Sequence, residues 1–289
     1  MSANSHKRTF GQDSYSSETS LRSPVINVSL TALDHFIWGD QLNIPRPIFH
    51  ALLGVGVFVL NALPAFFVSA EFLEIELPDG SDIDTYLYKP SGKGPYPAVI
   101  VLPVFSGMND YSKEFSEELS GADYVTLTVN FRTGSGWADA KIGATYDYLQ
   151  KLPEVDPERI GIVGFSKGGE LGLNTIIDWG NGYAPRPVRA MISYYLGSHL
   201  RFPHSDDPPI LFLHGDKDDR TQWQEIVAFC EESRKEGRVC EYKIYKGTTH
   251  SFTHNSGGVY GEYDFHAERD AYKRAVAFLN KYLRDAPIQ

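Results

Sequence analysis

The sequence has no basic stripe. Its 27 Lys and Arg are outnumbered by 37 Asp and Glu, giving a formal net charge of -10, and nowhere do the cations cluster as phosphate binding requires. Nucleic acid is therefore excluded as a partner. Internal repeats are absent too, and the one low-complexity feature is a Ser-rich beginning. Cysteine is nearly missing: Cys230 and Cys240 are the only two, which leaves room for one disulfide at most. They fall near the end of a helical pattern and the start of a strand, so they could pair if the connection folds back. A bridge would suit an exported domain and two buried thiols a cytosolic one. The spacing leaves both open.

Charge is missing altogether from Ile48 to Ala70, where Leu, Val and Phe dominate. About 20 such residues suffice to cross a bilayer as a helix, although His50, Asn61 and Pro64 weaken the pattern. Lys7, Arg8, Arg22 and Arg46 precede it, and Glu71, Glu74, Glu76, Asp79, Asp82 and Asp84 follow it. That asymmetry would keep the amino end in the cytoplasm and place the domain outside. Val68-Ser69-Ala70 has the small residues of a signal-peptidase site, in a segment long for a signal. Three readings follow: a membrane anchor or uncleaved signal, a cleaved signal, or a buried helical hairpin packed on a cytoplasmic domain.

What is present fits one substantial core. A hydrophobic content of 42% over 289 residues supports a single catalytic domain. The expected division is a polar, Ser-rich region over 1–47, the apolar segment 48–70, and a folded domain over 71–289. Alternation from Phe72 to Leu77 and from Ile83 to Tyr88, across Pro78-Asp79-Gly80, reads as a hairpin. Ala98 to Leu102 is a continuous apolar run, as in the middle of a parallel sheet. Helix is expected over Tyr111 to Ser120, Trp137 to Leu152, Thr221 to Glu236 and Tyr263 to Arg284. Strand is expected over Tyr124 to Val129, Ile160 to Val163, Val188 to Tyr194, Pro209 to Leu213 and Cys240 to Tyr245. Alternating strands and helices give an α/β fold with a mostly parallel sheet and helices on both faces. Ligands then bind at the carboxyl ends of the strands.

The chemistry centres on Arg159 to Gly172, RIGIVGFSKGGELG. A strand runs into Gly164-Phe165-Ser166-Lys167-Gly168-Gly169 and then into a helix expected from Glu170, the context of a nucleophile elbow. Gly164 and Gly168 remove side chains that would collide with the neighbouring strand and helix. Ser166 lies at a helix amino end, where the N–H of Lys167 can meet developing negative charge. A serine hydroxyl needs a base, and the base an orienting acid. The acid is sought in His214-Gly215-Asp216-Lys217-Asp218-Asp219, where Asp218 is favoured by the Gly-x-x-Asp spacing, with Asp219 as a helix cap or Asp216 as a turn residue competing. The base is His250, in the loop after the last strand, with His254 and His266 as runners-up. A second oxyanion donor is expected from the backbone of Phe105, in the loop after Ala98 to Leu102.

From about Ile83 to Leu283 the chain resembles the dienelactone hydrolase family of the α/β-hydrolase fold. The resemblance rests on Gly107-Met108-Asn109, GFSKGG, Ser193-Tyr194-Tyr195, Gly-x-x-Asp at Asp218 and Thr249-His250-Ser251-Phe252. It implies hydrolysis of a small-molecule ester or lactone through an acyl-enzyme, with no metal or organic cofactor. The type enzymes carry a Cys at the elbow and a Glu in the oxyanion loop. Here Ser166 and Val104 replace them together. Of the two Arg that hold the substrate carboxylate in those enzymes, Arg132 matches one, while His254 aligns with the other; Tyr194 is a third candidate for substrate contact. The stretch GFSKGGELGL is also similar to the elbow of acyl-CoA thioesterases and bile-acid acyltransferases, an alternative activity. A non-catalytic binding protein on the same scaffold is the remaining class.

Overall fold

This computed structural model describes residues 69–289 other than 181–185, 199, 201–207, 255–260 and 288–289. Eight strands form one sheet: β1 (Ser69–Glu76), β2 (Asp82–Lys89), β3 (Tyr96–Leu102), β4 (Val125–Val129), β5 (Val155–Phe165), β6 (Met191–Tyr194), β7 (Ile210–Gly215) and β8 (Cys240–Tyr245). Five α-helices are described: α1 (Asp110–Gly121), α2 (Ala138–Leu149), α3 (Lys167–Gly180), α4 (Trp223–Lys235) and α5 (Phe265–Leu279), the last running into a π-helical turn, Asn280–Arg284.

The spatial order is β1-β2-β4-β3-β5-β6-β7-β8. The hairpin β1–β2 is antiparallel and β2 meets β4 antiparallel; every later neighbour is parallel. Period-two alternation sorts each central strand between two cores. In β3, Ala98, Ile100 and Leu102 face one cluster, with Ile142 and Tyr146 of α2, Leu173 of α3 and Ile226 of α4. Val99 and Val101 face the other, with Phe115 and Leu119 of α1 and Ala271 and Phe278 of α5. The sheet is thus covered on both faces, which is why its middle strands are apolar throughout.

Chain order reverses between β3 and β5, since β4 lies on one side of β3 and β6 to β8 extend from β5. A crevice opens at the carboxyl ends of the strands at such a switch point. The loops after β3 and β5 both end there.

Several boundaries differ from expectation. Strand β1 begins at Ser69, with Ser69 opposite Lys89 and Ala70 opposite Tyr88. The last two residues of the segment 48–70 therefore belong to the sheet, and the signal-peptidase pattern ends inside a strand; 48–68 lies outside the described residues, as does 1–47. No helix among the described residues is long and apolar enough to cross a membrane. Helix α3 starts at Lys167, earlier than Glu170, and β6 starts only at Met191. Helix α5 begins after Asp264, whose carboxylate accepts from the Ala267 N–H. Cys230 of α4 and Cys240 of β8 form a disulfide, with Cα atoms 5.0 Å apart.

Candidate active site

Strand β5 ends at Phe165 and α3 begins at Lys167, so Ser166 alone makes the turn. Its φ is +52°, a left-handed conformation that a residue with a side chain adopts at a cost of about 1 kcal/mol or more. The surroundings hold it there. Its N–H donates to the Tyr194 carbonyl at 3.0 Å, and its carbonyl accepts from Glu170 N at 3.1 Å and Gly197 N at 3.2 Å. A Cβ on Gly164 would strike the backbone of Gly168, and one on Gly168 would strike the carbonyls of Leu102 and Pro103. The glycines let the elbow press against both the helix it starts and the end of β3.

Ser166 Oγ lies 2.8 Å from His250 Nε2. His250 Nδ1 is 2.8 Å from Asp218 Oδ2. The Asp218 side chain is 0% exposed, and its other oxygen accepts from the Arg220 N–H at 2.8 Å. The competing acids have other positions. Asp216 accepts from Gly247 N at 2.6 Å, pinning the acid loop to the base loop. Asp219 points outward, 86% exposed. Of the other histidines, His254 stacks on Tyr111 and His266 packs against exposed Phe265.

Two further pins hold the acid and base loops together. Lys217 N donates to the Thr248 carbonyl at 3.0 Å, and a Cβ on Gly215 would strike that same carbonyl. The ring of Tyr195 meets His250 edge-on at 5.2 Å, while its hydroxyl pairs with Thr253 Oγ1 at 2.8 Å. His214, which the sequence assigned only to the acid loop, proves central to it. Its Nε2 donates to the Thr221 carbonyl at 2.9 Å and lies 3.5 Å from Asp218 Oδ2. Burial pushes its imidazole below the ordinary pKa, against the opposite pull of the Asp218 charge beside it.

A cavity of about 440 Å³ opens over Ser166 and His250, and Phe105 and Lys167 both line it. Lys167 begins α3, so its N–H has no acceptor within the helix. Phe105 occupies the turn closed by Gly107 N to Val104 O at 2.8 Å, a bond that leaves the Phe105 N–H uninvolved. Lys167 Nζ pairs with Glu170 at 2.5 Å on the cavity wall. Glu170, Gly197, Arg220 and Ser251 also line this cavity; they lie in or beside the motifs read above, but sequence alone does not say which neighbours of a motif face the cavity.

The three expected substrate contacts are placed elsewhere. Arg132 lies over the Phe105 ring, 5.0 Å from its centroid, and is not among the described residues that line the cavity. Tyr194 is 0% exposed, wedged among Phe115, Phe165 and Tyr195 behind the elbow. His254 lines a second cavity, of about 600 Å³, between α1 and α5. Among the described residues no cluster of His, Cys, Asp or Glu could hold a metal ion.

Comparison with known proteins agrees with this architecture. The chain is 24% identical over 231 residues to a Bradyrhizobium protein named as a probable 2-oxo-3-(5-oxofuran-2-ylidene)propanoate lactonase, covering 68% of this chain and 89% of that one. Its fold is similar to that of a dienelactone hydrolase-like promiscuous phosphotriesterase from metagenomic libraries, with a TM-score of 0.64, 22% identity, and coverage of 74% and 98%. It is similar too to Thermogutta terrifontis esterase 2 phosphorylated by paraoxon, with a TM-score of 0.57, 20% identity, and coverage of 75% and 96%. The Dienelactone hydrolase family model matches residues 132–283, just over half of the chain and the half of the sheet from β5 to β8, and the protein belongs to that family.

Proposed function

We propose that the protein is a serine hydrolase that cleaves a carboxylic ester or lactone through an acyl-enzyme. The observation that carries this reading is the chain Ser166–His250–Asp218, with both contacts at 2.8 Å and the nucleophile at a left-handed turn beneath a cavity. His250 Nε2 takes the hydroxyl proton as Ser166 Oγ bonds to the carbonyl carbon, and the carbonyl π electrons move onto oxygen. Asp218, buried and acceptor-only, fixes the Nδ1–H tautomer and stabilises the imidazolium. Backbone N–H groups of Phe105 and Lys167 receive the oxyanion. The tetrahedral centre collapses, the C–O bond to the alcohol breaks, and His250 returns the proton to the departing oxygen. Water then repeats the sequence on the acyl-enzyme, with His250 as base, and releases the acid and free Ser166.

The family membership and the lactonase and esterase names of similar proteins support the same class of substrate. The test is treatment of the purified protein with a fluorophosphonate, followed by intact mass and peptide mapping, beside hydrolysis of short p-nitrophenyl esters and acyl-CoA. A single adduct on Ser166 together with ester turnover supports the reading. A folded sample that neither labels nor turns over an ester refutes it.

A further inference from the structure

The second cavity carries chemistry that ester hydrolysis does not use. It lies between α1 and α5, has a volume of about 600 Å³ and, among the described residues, shares no lining residue with the cavity over Ser166. Its walls are rings: Tyr111 and Phe115 on α1, Tyr272 and Phe265 on α5, and His254 stacked on Tyr111 at 5.8 Å. Among the described lining residues, Asp110, Glu114, Glu118 and Glu268 stand around those rings against one cation, Arg269, whose guanidinium lies over the Tyr272 ring, 5.2 Å from its centroid.

Glu268 is the distinctive member. Its side chain is only 9% exposed, and its sole charged contact among the described residues is Arg269 Nη1 at 3.8 Å. Arg269 is already committed to both carboxylate oxygens of Glu118, at 3.2 Å each. No described residue donates a hydrogen bond to the Glu268 carboxylate. A buried carboxylate in that state is costly unless a partner arrives, and its carboxyl pKa is accordingly raised by burial. His254, which lines the same cavity, has its pKa lowered by burial and then by the neighbouring His250.

We infer that this cavity is a binding site for a small organic cation, an ammonium ion bearing methyl or aromatic substituents, which pairs with Glu268 and packs against the rings of Tyr111 and Phe115. Aromatic faces attract such ions through their quadrupole, most strongly where water is excluded. A bare metal ion would want several oxygen ligands in place of rings. The site is separate from the ester cavity, yet Thr253, one of its lining residues, holds the hydroxyl of Tyr195, whose ring rests on His250.

Choline serves as the probe, with dimethylbutanol, in which carbon replaces the charged nitrogen, as its neutral counterpart. Calorimetric titration of the full chain is expected to show saturable, one-to-one binding of choline, with the neutral probe about tenfold weaker or more. Glu268→Gln should weaken choline about tenfold while melting temperature holds or rises and ester hydrolysis stays unchanged. Ser166→Ala should bind choline as the unaltered protein does, which separates this site from the proposed ester chemistry. Should Glu268→Gln fail to fold, Glu118→Gln on the surface answers the question, since it releases Arg269 to pair with Glu268 and so weakens the cation. Absence of saturation, equal affinity for both probes, undiminished binding in a folded Glu268→Gln or Glu118→Gln protein, or loss of binding in Ser166→Ala overturns the inference.

Discussion

Ser166 Oγ and His250 Nε2 lie 2.8 Å apart although 84 residues separate them in the chain. Three parallel strand pairings, β5–β6, β6–β7 and β7–β8, span that interval and bring both loops to one end of the sheet. Replacing Ser166 by Ala should therefore remove ester hydrolysis, lowering kcat by about four to six orders of magnitude. The melting temperature should hold or rise slightly, because Ala is no more strained than Ser at this φ. Residual turnover within tenfold of the unaltered protein in a clean preparation would mean another nucleophile.

The three acids of the acid loop should separate by function. Asp218→Asn is expected to lower kcat by about ten-thousand-fold, since the amide favours the wrong tautomer of His250. Asp219→Asn should leave kinetics unchanged, given its 86% exposure. Asp216→Asn should cost about 1 kcal/mol of stability through the weakened bond to Gly247 N. Kinetics and melting curves on the three variants check the ordering, and equal losses of kcat in all three would remove the special status of Asp218.

Gly197→Ala probes the side of the site proposed to receive the oxyanion. An added Cβ would lie 2.9 Å from the Ser166 carbonyl carbon and 3.0 Å from Lys167 N, closer than such contacts allow. The peptide that carries the Lys167 N–H must then shift. We expect kcat to fall by about a hundredfold with little change in KM, as for loss of one oxyanion donor. Unchanged kcat would show that this peptide does not meet the developing charge.

The bridge between Cys230 and Cys240 spans a sequence separation of 10. Replacing both cysteines by serine should lower stability by about 2–3 kcal/mol, as loss of a short closed loop predicts. The same loss should follow reduction of the unaltered protein. A melting temperature that does not move under reductant contradicts this expectation.

His214 and His254 both have imidazoles held below the ordinary value of 6.5 by burial. The unfolded chain then binds protons that the folded chain refuses. Stability is full above about pH 6.5 and falls as pH drops towards the native values, by up to about 1.4 kcal/mol per pH unit per group. His214→Gln retains a donor for the Thr221 carbonyl and removes one of the two titrations. Its stability should decline less steeply between about pH 6.5 and 5, measured by denaturant melts across that range.

The succession of strands and helices along the chain and the three residues brought together were readable because each depends on local pattern. Ala98 to Leu102 is apolar at every position since both faces of β3 are covered, and G-x-S-x-G marks a turn where backbone packs on backbone. Asp218 stood out from its neighbours through spacing from Gly215 alone. Side chains that meet across the cavity were not readable. Tyr194 and Tyr195 are adjacent in sequence and both buried, yet only Tyr195 touches His250, owing to a φ of +33° that turns the chain at that residue. Nothing in the residue types announces it. Arg132 was placed by analogy with a carboxylate ligand, whereas the turn closed by Thr133 N to Asn130 O at 3.0 Å sends it over Phe105. The pairing of the two cysteines depended on how α4 returns to β8, a tertiary fact.

Phe105 presents its ring to solvent, 58% exposed, while the group proposed to meet the substrate oxyanion is its backbone N–H. The two halves of this residue can therefore vary independently over evolutionary time. Any side chain that keeps the turn is compatible with the chemistry, and only proline, which lacks the N–H, is barred. The position is thus a natural place for lineages to reshape the mouth of the cavity, and with it substrate preference, without loss of catalytic power.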